Sequence, residues 1–125
     1  MAGKIIADTL EHSTAGSIAT NYVVEGSAKA WFSLDGDAGT PVFFDSFNCS
    51  TITDTVGKPK IHFTNVMSND DFAASGLSGE NFGAALSFGS DTPKTTSTVI
   101  YKTMGASFNV GDTTNLDGII MGDLA

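Results

Sequence analysis

Alternating apolar and polar residues between Ala28 and Asp54 constrain the fold of this chain more than any other feature of its sequence. Successive side chains of a strand point to opposite sides, so the even-numbered residues from Ala28 to Leu34 share one apolar face. The aspartates and glycines at positions 35–39 are typical of a tight turn. Strand character resumes from Thr40 to Phe47. The segment therefore predicts two strands joined as a hairpin, and it does not support a helix.

Further short strand candidates recur at the spacing typical of an antiparallel sandwich or barrel. They are Ser50–Thr53, Lys60–Val66, Phe72–Ala74, Phe82–Phe88, Thr95–Tyr101, Ala106–Val110 and Gly118–Met121. Small polar residues from Ser75 to Asn81 indicate a loop. The predicted fold class is all-β, with an antiparallel β-sandwich or a small barrel-like domain over residues 28–125.

Residues 1–27 form a second region, for which we predict an extended N-terminal arm with a turn near Gly16. Helix over Ile5–Glu11 is the alternative, because Ile6 and Leu10 are four residues apart. An extended arm cannot bury both of its faces, so it must lie on another surface or twine with symmetry mates. The residues expected to anchor it are apolar: Ile5, Ile6, Leu10, Val23 and Val24.

Charge and cysteine content exclude several classes of function. The 125 residues include 14 Asp and Glu against six basic residues, all lysine, and the net charge is -8. Nucleic acid is an unfavourable partner, because binding a phosphate backbone needs clustered Lys and Arg. No stretch approaches the ~20 apolar residues that a membrane helix needs, so we expect no membrane insertion. The single cysteine, Cys49, excludes an intrachain disulfide and predicts a buried, reduced thiol.

The polar residues do not form a pattern typical of catalysis. Asp35 and Asp37 resemble the start of a calcium loop, but the later acidic ligand is missing and a solvated turn explains them. The pair Asp70–Asp71 points to opposite sides of an extended chain, which does not suit two-carboxylate catalysis. His12 and His62 lack a second ligand at metal-binding spacing. We therefore predict no enzyme, no catalytic residue, no metal site and no cofactor.

Trp31 is the aromatic residue that breaks the core pattern, because it shares the outward face of its strand with Lys29 and Ser33. A subunit contact, a covering loop or a sugar stacked on the ring would each explain an outward tryptophan. His62 alternates with Ile61 and Phe63, so it faces solvent or a subunit contact. The candidate subunit contact consists of Trp31, Lys29 and His62.

Several short blocks of sequence stand in a characteristic order. They are Ala28–Trp31, Asp45–Asn48 with Ser50–Asp54, and Ile61–Met67 followed by Asn69–Phe72. In this order they resemble a domain of tail-fibre-like and other virion structural proteins of tailed bacteriophages, notably marine ones. The similarity covers about Asn21 to Ala73, and the turn at 57–60 departs from the family pattern. The resemblance implies a homotrimeric virion component, assembled in the host cytoplasm and displayed on the particle.

Three functional hypotheses follow. The first is a trimeric tail-fibre-like projection or knob that contributes to host attachment. The second is a head-decoration, or capsid cement, protein whose N-terminal arm binds the capsid surface. The third is a carbohydrate-binding or carbohydrate-cleaving β domain that uses Trp31 and surface aspartates. The partners expected are further copies of the chain, other virion proteins, and a host surface glycan or protein.

Overall fold

A computed structural model describes residues 6–37, 39–53, 55–79, 82–85, 92–105 and 110–125. Within these ranges the chain forms twelve strands and one short helix, which confirms the all-β prediction. The elements are β1 (Thr9–His12), β2 (Gly16–Ala19), α1 (Thr20–Gly26), β3 (Ala28–Asp35), β4 (Val42–Phe47), β5 (Cys49–Thr53), β6 (Lys60–Phe63), β7 (Ala73–Ser78), β8 (Phe82–Ala85), β9 (Lys94–Thr95), β10 (Thr98–Ile100), β11 (Lys102–Gly105) and β12 (Leu116–Met121).

Two four-stranded antiparallel sheets make up most of the structure. The first sheet has the strand order β4-β3-β12-β7, and the second has the order β5-β6-β10-β9. Strands β1 and β2 form a separate hairpin, and β8 pairs with β11. The predicted hairpin of β3 and β4 is present, with Trp31 opposite Phe47 and a bulge between Ser33 and Leu34. The prediction for residues 106–109 lies outside the described residues, as do the last residues of Phe82–Phe88.

The inner faces of the two sheets contribute to one hydrophobic core. The Phe32 ring from β3 meets the Tyr101 ring edge-on, with their centroids 5.2 Å apart. Phe63 from β6 makes a similar contact with Phe72 at 5.7 Å. The buried apolar residues are Ala30, Phe32, Leu34, Ile61, Phe63, Met67, Phe72, Val99, Tyr101, Leu116 and Ile120. Burial of side chains of this size stabilises the fold by about 1.5–3 kcal/mol each.

A pair of glycines explains why strand β7 occupies a segment predicted as a loop. Gly76 and Gly118 are register partners on β7 and β12. A Cβ atom on Gly118 would lie 2.4 Å from the Phe32 ring, and one on Gly76 would lie 2.6 Å from the Tyr101 ring. The two rings therefore occupy the space that side chains would fill. The loop prediction for Ser75–Asn81 is wrong over Ser75–Ser78, because glycine serves ring packing here rather than a turn.

Asn48 lies where the chain passes from the first sheet to the second. Its backbone is left-handed, with a φ of 56°, and it separates β4 from β5. Its Nδ2 donates hydrogen bonds to the carbonyls of Lys29 and Asn65, at 3.0 and 3.1 Å. Its Oδ1 accepts from the Asn65 backbone N–H at 2.7 Å. One side chain thus ties β3, the β4–β5 junction and the end of β6 together.

The N-terminal region contains the turn that was predicted near Gly16. Residues 9–19 form a hairpin that turns before Gly16, whose φ of 91° is left-handed. The alternative helix over Ile5–Glu11 is wrong over Thr9–Glu11, because β1 begins at Thr9. The helix instead spans Thr20–Gly26 and includes Val23 and Val24. In the part of the chain that the structure describes, no helix is long and apolar enough to cross a membrane.

A candidate subunit contact on the outer face of the first sheet

The side of the first sheet that faces away from the core carries exposed apolar side chains. Trp31 lies between Phe47 on β4 and Ile119 on β12 in the strand register. These three residues are 38%, 52% and 46% exposed, and Leu77 on the edge strand β7 is 76% exposed. We call this surface the apolar outer face, formed by Trp31, Phe47, Leu77, Ile119 and Met121.

The outward position predicted for Trp31 is correct, and its apolar neighbours come from strands that are distant in sequence. Phe44 and Phe47 on β4 are both exposed. The bulge in the β3–β4 pairing places Phe43 against the core and leaves Phe44 outside. Ile119 and Leu77 had no signal in sequence, because only the pairing of β12 with β3 and β7 places Ile119 opposite Trp31 and puts Leu77 on the same side of the sheet.

Two carboxylates border the apolar outer face. Asp45 and Asp117 both pair with Ser33, which lies two residues along β3 from Trp31 on the same side of the strand. Both residues are exposed. The face therefore combines an apolar row through Trp31 with an acidic row through Ser33, in which Asp117 lies between Ser33 and Leu77.

Lys29 does not share the exposure of Trp31, so the outward placement predicted for it needs correction. Its side chain is only 7% exposed. Its Nζ donates to the carbonyl of Val24, to the carbonyl of Ser27 at 3.1 Å and to the Ser27 hydroxyl at 2.9 Å. The ammonium thus binds the C-terminal end of α1, where a cation also interacts favourably with the helix dipole. Sequence periodicity alone could not show that a helix covers this position.

His62 lies on the second sheet, and the structure does not bring it together with Trp31. It faces outward between buried Ile61 and Phe63, as the alternation predicts. Its Nε2 is 2.9 Å from the Thr53 hydroxyl. The residues that share its side of the sheet are mostly polar, although buried Thr98 and the apolar Ile100 lie there too. We call the polar ones the polar outer face, formed by Thr51, Thr53, Lys60, His62 and Thr95.

Cys49 packs against the edge of the core, on the other side of the backbone from the apolar outer face. Its Sγ is 3.5 Å from the carbonyl oxygens of Trp31 and Phe47, and the residue is half-buried. Partial burial disfavours the charged thiolate and raises the pKa of the thiol to about 11. A thiol with this pKa is protonated at neutral pH and therefore a poor nucleophile. The expectation of an inert, reduced thiol fits this environment.

The acidic turn residues behave as parts of turns. The Asp35 carboxylate accepts a hydrogen bond from the Asp37 backbone N–H at 2.9 Å. The Asn69 side chain makes the equivalent bond to Asp71. Among the residues that the structure describes, no group of three or more His, Cys, Asp or Glu could hold a metal ion.

A second apolar surface belongs to the N-terminal segment, which we define as residues 6–26. Ile6, Leu10, Val23 and Val24, all predicted as anchoring residues, are exposed. Ile5, the fifth of them, lies outside the described residues. Sequence analysis missed Ile18 and Tyr22, which are exposed on β2 and α1. Among the described residues, the N-terminal segment thus adds a group of exposed apolar side chains to those of the apolar outer face.

No protein-family model, curated protein or solved structure matches the chain. The two exposed apolar surfaces are therefore the structural features from which a function can be inferred.

Proposed function

We propose that this protein is a structural component of a tailed-phage virion, a trimeric tail-fibre-like projection or knob that contributes to host attachment. The apolar outer face is the observation that carries the proposal. An exposed patch of this kind marks an interaction surface more often than a surface adapted to water. The ordered blocks of sequence that resemble phage virion proteins supply the setting and the trimeric state.

The dimensions of the first sheet support a contact between copies of the chain. Four strands spaced by ~4.8 Å, with six residues at ~3.4 Å each along β12, span on the order of 400 Å². A stable interface buries about 800 Å² on each partner. One sheet face supplies about half of that area, so further surface must take part. The N-terminal segment offers apolar area on the same chain.

Trp31 is the residue through which self-association is best tested. We expect the purified chain to have the mass of a trimer in light scattering, and Trp31→Ala to weaken the assembly. Truncation of a central aromatic anchor in an interface costs about 2 kcal/mol or more. A native chain that stays monomeric at all concentrations would rule out the trimer.

The virion setting needs a separate experiment on intact particles. Gold-labelled antibody against the protein should bind purified phage at the tail or its tip. Labelling confined to the head surface would instead favour the decoration hypothesis. No labelling on particles, together with the protein in the lysate, would overturn the structural assignment.

Head decoration is a second candidate, which the exposed apolar residues of the N-terminal segment favour. A segment in which none of the described side chains is buried is available to lie across capsid subunits. In that case the protein should bind empty heads at a fixed ratio and raise their melting temperature. Failure to bind heads would remove this candidate.

A carbohydrate-binding role is the weakest candidate, favoured by one feature of the same face. Asp45 and Asp117 pair with Ser33, two residues along β3 from Trp31. An aromatic ring with hydrogen-bond acceptors nearby can hold a sugar. Titration with host surface polysaccharide should then change the tryptophan fluorescence. An unchanged signal would exclude this candidate.

A further inference from the structure

We propose that the apolar outer face of each copy is covered by the N-terminal segment of a neighbouring copy, and that repetition of this contact closes the assembly into a ring. This inference rests on the proposed self-association and names the surface that the apolar outer face binds. In this contact the N-terminal segment of one copy meets the apolar outer face of the next, so both unpartnered surfaces of each chain are covered.

The N-terminal segment needs a covering surface to be stable. It consists of two four-residue strands and one seven-residue helix, and none of its described side chains is buried. An isolated two-stranded hairpin is marginally stable in water, and a helix shorter than ~12 residues is marginal as well. Its ordered form therefore requires contacts that a single copy does not provide.

The chain cannot cover its own outer face with this segment. Only Ser27 separates α1 from β3. Lys29 holds the last turn of the helix at the start of β3 through its bonds to Val24 and Ser27. Moving the segment over Trp31 of the same copy would break these bonds and leave a largely buried ammonium without them. A second copy can supply its segment without that cost.

The area of the contact and its symmetry fit this arrangement. A copy that uses both its sheet face and its N-terminal segment buries more apolar area than the sheet face alone, which moves the contact towards the ~800 Å² per chain of a stable interface. Joining two different patches is a heterologous contact, and such contacts close into a ring when the rotation between copies permits. The resulting assembly would leave neither apolar surface exposed.

Two full-length variants test this contact by complementation. Ile119→Lys places a charge in the apolar outer face and leaves the segment intact, while Val24→Lys does the reverse. Each variant alone should be monomeric, with association weakened more than about 100-fold. An equimolar mixture should form a heterodimer and no larger species, because only the segment of the first variant can bind the face of the second.

The outcomes separate this inference from the proposed function. If Val24→Lys alone keeps the native mass, the segment does not cover the face and the inference fails, while self-association stands. If the native chain is monomeric, both fail. Val56→Lys is the matched control, an exposed apolar position outside both surfaces, and it should keep the native mass. Leu77→Lys and Tyr22→Lys repeat the test if a first variant does not fold by circular dichroism.

Salt provides a second readout with a defined sign. The segment carries Asp8, Glu11 and Glu25, and Asp45 and Asp117 border the face that it would meet. Like charges in a contact repel, and added salt screens them. Association of the native chain should therefore tighten as sodium chloride is raised. Weakening with salt would contradict a contact between these two acidic surfaces.

Discussion

The two four-stranded sheets have similar inner faces and very different outer faces. Inside, Phe32 and Leu34 of the first sheet meet a core that includes Ile61 and Val99 of the second. Outside, the first sheet presents Trp31 among other apolar residues, whereas the second presents threonine, lysine and histidine. Folding alone requires one apolar face per sheet. The apolar outer face of the first sheet is therefore unnecessary for the fold and is best explained by a partner.

The largest expected effect comes from giving the first sheet the outer chemistry of the second. Trp31→Thr, Phe47→Thr and Ile119→Thr together should abolish self-association, because about 1.5 kcal/mol is lost for each apolar side chain, or roughly 1,000-fold in the dissociation constant. Threonine suits strands, so the fold should persist. Sedimentation velocity measures the mass.

The control for this exchange is the same number of changes on the polar outer face. Thr51→Ser, Thr53→Ser and Thr95→Ser should leave the mass unchanged. If both triple variants associate like the native chain, the difference between the two faces has no role in assembly.

A smaller effect is expected at the junction where the chain leaves one sheet for the other. Asn48→Ala should lower the free energy of unfolding by about 2–3 kcal/mol, through lost hydrogen bonds and a left-handed backbone that alanine disfavours. Asn48→Gly loses the same bonds but accepts the backbone angle, so it should fall between alanine and the native chain. Urea denaturation measures all three. Equal stability of the alanine variant and the native chain would contradict this role.

Packing on the inner face of the first sheet should be the next most sensitive feature. Gly118→Ala places a Cβ within 2.4 Å of the Phe32 ring, and overpacking of this kind costs about 1–3 kcal/mol. Thermal unfolding followed by circular dichroism measures the loss. Gly26→Ala is the matched control, because no atom lies within 4 Å of that Cβ, and it should not destabilise the protein. Equal melting temperatures for the two variants would contradict the close packing of the Phe32 ring against Gly118.

Alkaline pH should produce the smallest effect. Burial raises the pKa of the Cys49 thiol to about 11, and burial followed by the charge of Cys49 raises the pKa of the Tyr101 hydroxyl above its ordinary value. Both groups are held protonated in the folded state, so the unfolded chain loses protons first as pH rises. The contribution of these two groups to stability should be constant below pH 9, the ordinary pKa of cysteine, and fall as the pH rises towards 11.

Removal of the thiol provides the check on this pH dependence. In Cys49→Ala the decline above pH 9 should be shallower, since only the tyrosine contribution remains. Urea midpoints measured from pH 8 to 11 give the slope for each protein. A midpoint that rises with pH in this range would contradict the assignment.

Sequence periodicity predicted the strands whose apolar residues alternate strictly. β3 and β6 follow that pattern, and the outward positions of Trp31 and His62 followed from it. Sequence periodicity did not predict strand β7, where Gly76 provides room for the Tyr101 ring. A glycine that is needed for a ring on another strand has the same local signature as a glycine in a loop.

The candidate contact was predicted only in its central residue. Trp31 was found because it faces away from its own strand's apolar side, and that property is local. Lys29 was misplaced because its ammonium turns to the end of α1, where it donates hydrogen bonds to Val24 and Ser27. Ile119 and Leu77 were missed because β12 pairs with β3 and β7, which are distant from it in the sequence.

The sequence by itself determined the all-β class, the alternation of inner and outer residues, and the acidic character of the chain. These are properties of residue types and their spacing. The tertiary structure alone decided that Phe47, Trp31 and Ile119 form one surface, that Lys29 is buried and bonded to the end of α1, and that Asn48 joins two sheets. Strand register between distant segments depends on the packing of the whole core, which local periodicity does not contain.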